Sequence, residues 1–401
     1  MKPNSPILTL GDAYHRYRPY PFGIRQRDRM HSMYLIGQTG TGKSTLLHNL
    51  ALQDAHAGRG FCLIDPHGDL AGGLHEALPC KHIYWDVSER HSPYGYNPVT
   101  SPSERHRPLV ASGLIEALKK QWSDAWGARM EHILRYALLA LLEAPQADMR
   151  DIIRLYVETD FRKEVLRHVR DPQTRSFWET EFPKMNYRTA FDGVAPIANK
   201  VGALLAHPVI RRAICEPQEP LRFRKIMDEG QALIINLAKG QIGTDNANVL
   251  GGLITSSILN AAFSRQSLPE AERRPFVLAV DEFHSFTTTV FADLLPEARK
   301  YGLSLTLSHQ HLAQLEPSVM EAIFGNVGSI IAFRLGVTDA QVFAEQFPDV
   351  LPSTFAQLPN YHTLMQLLVD GRKMPVFSAT TRPIDMAAQN NPATSRQHSQ
   401  Q

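Results

Sequence analysis

Apolar residues fall in short, nearly continuous runs over much of the chain: Met33–Ile36, Phe61–Ile64, Ala232–Leu237, Phe276–Val280, Leu303–Leu307 and Ile330–Phe333. Runs of this length, bounded by turn residues, predict strands, and strands without a consistently polar face belong inside a parallel sheet covered on both sides. Most of them are separated by stretches with helical spacing, notably Lys43–His56, Asn246–Arg265 and Ala340–Gln346. The alternation predicts an α/β fold around a mostly parallel central sheet.

The pattern changes between residues 101 and 230. Strand-like runs stop, and helical spacing governs Leu109–Lys120, Met130–Leu142, Met149–Glu158 and Phe191–Leu205. Leu134, Leu138, Leu141 and Leu142 form one apolar stripe at helical intervals. Four parts are therefore expected: a basic arm at 1–30, a core from 31–100 and 231–385, an all-helical insertion at 101–230, and a polar, disordered tail at 386–401. The arm reads as an extended leader with one short strand at Ile7–Leu10.

Composition narrows the class. The 401 residues are 43% hydrophobic and 20% charged with a net charge of +2, which excludes a disordered polyelectrolyte and a histone-like basic body. Three cysteines, Cys62, Cys80 and Cys215, cannot staple so long a chain and fit a reducing compartment. The longest apolar stretch, Val249–Phe263, is diluted by Gly, Thr, Ser and Asn and is shorter than the roughly 20 residues that span a bilayer. No secretion signal opens the chain. A cytoplasmic protein without an intrinsic membrane span is the expectation.

The chemistry concentrates at the ends of the predicted strands. Gly37-Gln38-Thr39-Gly40-Thr41-Gly42-Lys43-Ser44 satisfies G-x-x-x-x-G-K-[ST] and lies between a strand and a helix, the context that pattern requires. Glycines let backbone N–H groups turn toward phosphate oxygens, and the helix N-terminus adds a favourable dipole. Lys43 is expected on the β- and γ-phosphates of ATP, Ser44 on Mg²⁺, and Thr45 as an added phosphate contact. Asp281 and Glu282 end the strand Phe276–Val280; the first suits the Mg²⁺ shell and the second a general base.

Other strand tips add candidates. Gln310, ending the run from Leu303, is expected to sense the γ-phosphate between the two motifs; His309 is the runner-up, though it reads better as a surface histidine at the strand end. Arg334, after Ile330–Phe333, offers a guanidinium for transition-state charge across a subunit boundary, with Arg299 and Lys300 competing for that role. Asp65-Pro66-His67-Gly68-Asp69 reads as a rigid turn at the same sheet edge. Lys239-Gly240-Gln241 is a candidate for tracking a nucleic-acid backbone, or an ordinary Gly turn.

Taken in order, GQTGTGKST, LIDPHGDL, YGYNPV, SDAWGARMEHILRYALLALL, LIINLAKGQIG, VLAVDEFHSF, ARKYGLSLTLSHQHLAQL and FGNVGSIIAFRLGVTDAQ resemble the FtsK–HerA superfamily of ring ATPases. The resemblance covers roughly residues 31–385 and is strongest to the branch of type IV coupling proteins and type IV secretion ATPases. It implies a RecA-like ATPase core with a helical insertion, assembled as a hexameric ring around DNA. It also implies a phosphate loop at Gly37–Thr45, the metal Asp and catalytic Glu at Asp281 and Glu282, a sensor at Gln310 and a trans-acting arginine at Arg334. The function it implies is ATP-driven DNA translocation in conjugative or mobile-element transfer, with a relaxase or secretion proteins as partners. Two other readings stay open: a secretion ATPase that moves protein without DNA, and a HerA-like motor paired with a nuclease or defence effector. The small net charge does not oppose DNA binding, because a ring needs basic groups only along its channel.

Overall fold

A computed structural model describes residues 7–15, 18–100, 103–185, 187–287, 291–292, 295–347 and 349–384. The expected tail, 386–401, lies outside them. In chain order the strands among these residues are β1 (Ile7–His15), β2 (Arg18–Arg25), β3 (Met33–Ile36), β4 (Gly60–Asp65), β5 (Ile83–Asp86), β6 (Tyr94–Gly95), β7 (Glu219–Pro220), β8 (Ala232–Asn236), β9 (Phe276–Val280), β10 (Leu303–His309), β11 (Ser329–Ala332), β12 (His362–Gln366), β13 (Leu368–Val369), β14 (Arg372–Lys373) and β15 (Phe377–Thr381). Eleven of them form one sheet in the order β2-β1-β15-β12-β11-β3-β10-β9-β4-β8-β5. From β11 to β5 every neighbouring pair is parallel. From β11 to β2 every pair is antiparallel. The chain therefore has the RecA-like α/β fold, with an antiparallel flank added at one side.

Alternation along each central strand sends neighbouring side chains to opposite faces. Tyr34, Ile36, Cys62 and Ile64 join a large core under the helices Arg107–Gln121, Ala128–Leu141 and Thr244–Ser264. Met33, Leu35, Phe61 and Leu63 face the helices Lys43–His56 and Asp69–Ala77 through Leu46, Leu47, Leu50 and Leu74. Each such leucine contributes about 1.5–3 kcal/mol by leaving water. Both faces are thus apolar, which explains the continuous runs.

Residues 7–15 and 18–25 are not an extended arm. β1 and β2 make an antiparallel hairpin, and β1 continues the sheet by pairing Gly11–Ala13 with Thr381–Ala379 of β15. Leu8, Leu10 and Ile24 are buried beneath it, while Ile7, Tyr14 and Tyr20 are exposed and Gly and Pro interrupt the rest, so only Ile7–Leu10 carries a strand signal. β12 and β15 were hidden as well: neither is a continuous apolar run, since Thr363 and Thr381 are among their buried residues.

Between 101 and 230 every regular element among the described residues is helical except the short strand β7, which pairs with β6. These helices do not close a core of their own, however; Leu114, Leu118, Leu134 and Leu138 belong to the same cluster as the sheet residues Leu278 and Leu305. Val249–Phe263 lies within the helix Thr244–Ser264. The span Thr244–Ser267 is the one described helix long and apolar enough to cross a membrane, and 61% of its most apolar window is buried inside the fold.

Candidate active site

All parallel strands deliver their carboxyl ends to one edge, and the sequence motifs meet there. The insertion of β10 between β3 and β9 puts Gln310 between the phosphate loop and the acidic pair. A cleft of about 450 Å³ runs along this edge, walled by Thr39, Lys43, Ser44, Asp281, Glu282 and Gln310.

The loop needs its glycines: Gly40 and Gly42 hold φ of 75° and 116°, in the left-handed region that L side chains disfavour. The helix that follows is anchored at its far end, where buried Asp54 accepts from Arg29 Nη1 at 2.6 Å and Arg59 Nε at 2.7 Å. Thr41 closes the loop by donating to Gln38 O at 2.7 Å. Lys43 folds back over it, donating to Gly37 O at 2.6 Å and Gln38 O at 3.1 Å. Burial lowers the Lys43 pKa, while Asp281 and Glu282 favour its charge. Thr45 lines the cleft from the first turn of the helix.

Ser44 Oγ donates to Asp281 Oδ2 at 3.2 Å. Asp281 is 6% exposed, and its pKa is raised to about 6, first by burial and then by Glu282. Glu282 is held in a left-handed conformation at φ 47°, a strain of about 1–3 kcal/mol that aims its carboxylate along the cleft. Gln310 joins the motifs: Thr39 Oγ1 donates to its Oε1 at 2.8 Å, and its Nε2 donates to Glu282 Oε1 at 2.7 Å. An uninterrupted line therefore runs from the phosphate loop to a carboxylate.

His309 is not a surface residue. It is fully buried, with Nε2 2.5 Å from Tyr34 Oη and its ring 4.9 Å from that of Phe283. Burial first, then nearby cations, bring its pKa down to about 3, so it is neutral and structural. β10 is buried along its whole length, and its last residue goes into the core with the rest.

Arg334 is close to the phosphate loop of its own chain. Its Nε donates to Gln38 Oε1 at 3.1 Å and its Nη1 to Leu358 O at 3.3 Å. Arg299 and Lys300 lie before β10, at the opposite edge, and both are exposed. Arg299 Nη1 is 2.6 Å from His31 Nε2, and Lys300 pairs with Glu297 at 3.3 Å.

The Asp65–Asp69 segment is a rigid turn that also faces the cleft. Asp65 is buried and accepts from His67 N and Ala71 N, both at 2.9 Å, which fixes the start of the next helix. His67 and Asp69 remain exposed along the wall. Tyr361 also lines the cleft; its N–H donates to Thr41 O at 2.8 Å, and its ring lies against Gly42. No local pattern marks Tyr361, since its position depends on an antiparallel strand far along the chain. Lys239 begins a short helical turn beside the site, its N–H donating to Pro66 O at 2.9 Å, with Gly240 and Gln241 exposed.

Comparison with known proteins places this geometry. The plasmid coupling protein TrwB in complex with ADP and Mg²⁺ superposes with a TM-score of 0.65 at 16% identity, over 95% of this chain and 96% of that one. TrwB in complex with the non-hydrolysable GTP analogue GDPNP gives 0.64 at 17% identity, again over 95% and 96%. VirB4 of Thermoanaerobacter pseudethanolicus gives 0.65 at 14% identity, over 96% and 99%. These likenesses establish the fold. No curated protein matches the chain in sequence. The family described as the type IV secretion-system coupling protein DNA-binding domain matches residues 20–351, most of the chain and every motif of the cleft. The chain belongs to that family.

Proposed function

We propose that the chain is an ATP-hydrolysing motor that moves DNA in conjugative or mobile-element transfer, working as a hexameric ring. The observation that carries this reading is the line Thr39–Gln310–Glu282, which couples a phosphate loop to a base. A protein that only held nucleotide would need no carboxylate at that point. Membership of the coupling-protein family and the nucleotide complexes of TrwB support it.

In this reading the backbone of Gly37–Thr45 cradles the phosphates, and Lys43 leaves the carbonyls of Gly37 and Gln38 for the β- and γ-oxygens. Ser44 and Asp281 fit a Mg²⁺ ion: both offer oxygen, and their 3.2 Å separation is close to the about 2.9 Å between adjacent ligands of an octahedral ion. Bound there, Mg²⁺ would neutralise charge on the phosphate oxygens. Gln310 orients a water with its amide, and Glu282 takes that water's proton. The water oxygen bonds to the γ-phosphorus as the bond to the β–γ bridging oxygen breaks, leaving ADP and phosphate.

A cation that serves a neighbour's site must be exposed and remote from its own. Arg334 meets neither condition, since Gln38 and Leu358 of its own chain hold it. Arg299 meets both: β10 places it roughly 20 Å from its own cleft. We therefore assign the trans role to Arg299 rather than Arg334. Arg299→Ala is expected to bind ATP normally and lose turnover on the order of 10²-fold, whereas Arg334→Ala should chiefly weaken nucleotide binding. Full turnover in the Arg299 variant, with loss in the Arg334 variant, would return the role to Arg334.

DNA distinguishes the cargo. Phosphate release measured with and without DNA at low salt is expected to rise with DNA, and the stimulation should fade as salt increases. Lys239→Ala is expected to reduce it. If neither single- nor double-stranded DNA binds or stimulates, the translocase reading fails, and a secretion ATPase that moves protein replaces it.

A further inference from the structure

The turn that carries Glu282 is held partly by the helical segment. After Glu282 the chain makes a tight helical turn, Phe283–Ser285, closed by Ser285 N to Glu282 O at 3.1 Å and Thr287 N to Phe283 O at 3.1 Å. The remaining carbonyls point to the end of the helix Arg107–Gln121. Lys120 Nζ donates to His284 O at 2.7 Å and also to Thr287 O, and lies 3.4 Å from Thr287 Oγ1. Gln121 Nε2 donates to Ser285 O at 3.1 Å. His284, whose carbonyl Lys120 holds, has Nδ1 3.4 Å from Glu282 Oε2.

An ammonium inside a protein normally meets a carboxylate. Here every hydrogen-bond acceptor of Lys120 belongs to the turn behind the base. Burial lowers its pKa, and the field of Glu316 partly offsets this. Earlier in the same helix, Gly113 and Ala117 lie against Ser256 and Gly252 of the helix Thr244–Ser264. Movement of the helical segment would reach Glu282 through these bonds.

We propose that Lys120, assisted by Gln121, is a positioning residue for hydrolysis that sets the Glu282 turn and links the helical segment to the base. The inference rests on the assignment of Glu282 given above. Lys120 touches no part of the cleft, so its loss should lower kcat and leave KM for ATP unchanged. Lys120→Met removes the donors at similar length, and a loss of about tenfold in kcat is expected. Lys120→Arg keeps a donor and should restore most of it.

The experiment measures kcat and KM for Lys120→Met, Lys120→Arg and Gln121→Leu, with Glu282→Gln alongside and fluorescent-nucleotide affinity as the check on folding. Support is a kcat loss in Lys120→Met at unchanged KM and nucleotide affinity, with rescue by Lys120→Arg. Wild-type kcat in Lys120→Met overturns the proposal, as does a loss that Arg fails to rescue. If Lys120→Met does not bind nucleotide, Gln121→Leu decides: lowered kcat at constant KM supports the proposal, and wild-type kcat overturns it. Normal turnover in Glu282→Gln would instead overturn the base itself.

Discussion

Glu282→Gln is expected to bind ATP as tightly as the unsubstituted chain and to hydrolyse it on the order of 10³–10⁴-fold more slowly. The substitution keeps the shape of the side chain and an acceptor for Gln310 Nε2, which now lies 2.7 Å from Glu282 Oε1. The left-handed backbone at this position suits Gln as well as Glu, so the turn should persist. Only the capacity to take a proton is removed. Two neighbouring groups are poorly placed to replace it: Asp281 is occupied with Ser44, and His284 is not among the residues that wall the cleft. Nucleotide titration and single-turnover phosphate release on the same preparation check the prediction. Normal turnover would move the base elsewhere, and lost binding would make Glu282 a ground-state contact.

The central parallel strands and the phosphate loop were legible because their signals are local. Met33–Ile36 and Phe276–Val280 are buried on both faces, so burial writes a continuous run into the sequence, and the glycines of 37–42 record the backbone demand directly. The antiparallel flank was not legible. β1, β12 and β15 are defined by long-range pairing, such as Gly11 with Thr381, which no window of residues contains. The acidic pair and Gln310 could be named from strand tips, because a parallel sheet carries every tip to one edge. The same reasoning went astray at His309, which is buried rather than at the surface. A tip position does not say whether a side chain turns to solvent, to its own loop or into the core, and packing decides that. Tyr361 and Lys120 lay beyond this logic altogether, since one comes from the antiparallel flank and the other from the helical segment.

Lys43→Ala is expected to weaken ATP binding by on the order of 10³-fold, the effect of removing one partner of a buried charge pair at about 2–5 kcal/mol. Lys43 is 6% exposed, and its ammonium covers the inward carbonyls of Gly37 and Gln38. Removal therefore acts twice. The phosphates lose their nearest cation, and two carbonyl oxygens are left facing an anion with no donor between them. Asp281 and Glu282, whose fields favour the Lys43 charge, would then oppose the phosphates without compensation. Lys43→Arg should not restore binding, because a guanidinium is larger than the space beneath the loop and cannot reach between the carbonyls and the phosphate as a compact ammonium does. The fold should survive, since Lys43 makes its hydrogen bonds only within the loop, and a thermal melt without nucleotide should remain near that of the unsubstituted chain. Nucleotide should raise the melting temperature of Glu282→Gln and not that of Lys43→Ala, which separates binding from chemistry in one assay. Retained tight binding in Lys43→Ala would show that the loop backbone alone holds the phosphates, and the role assigned to Lys43 would fall.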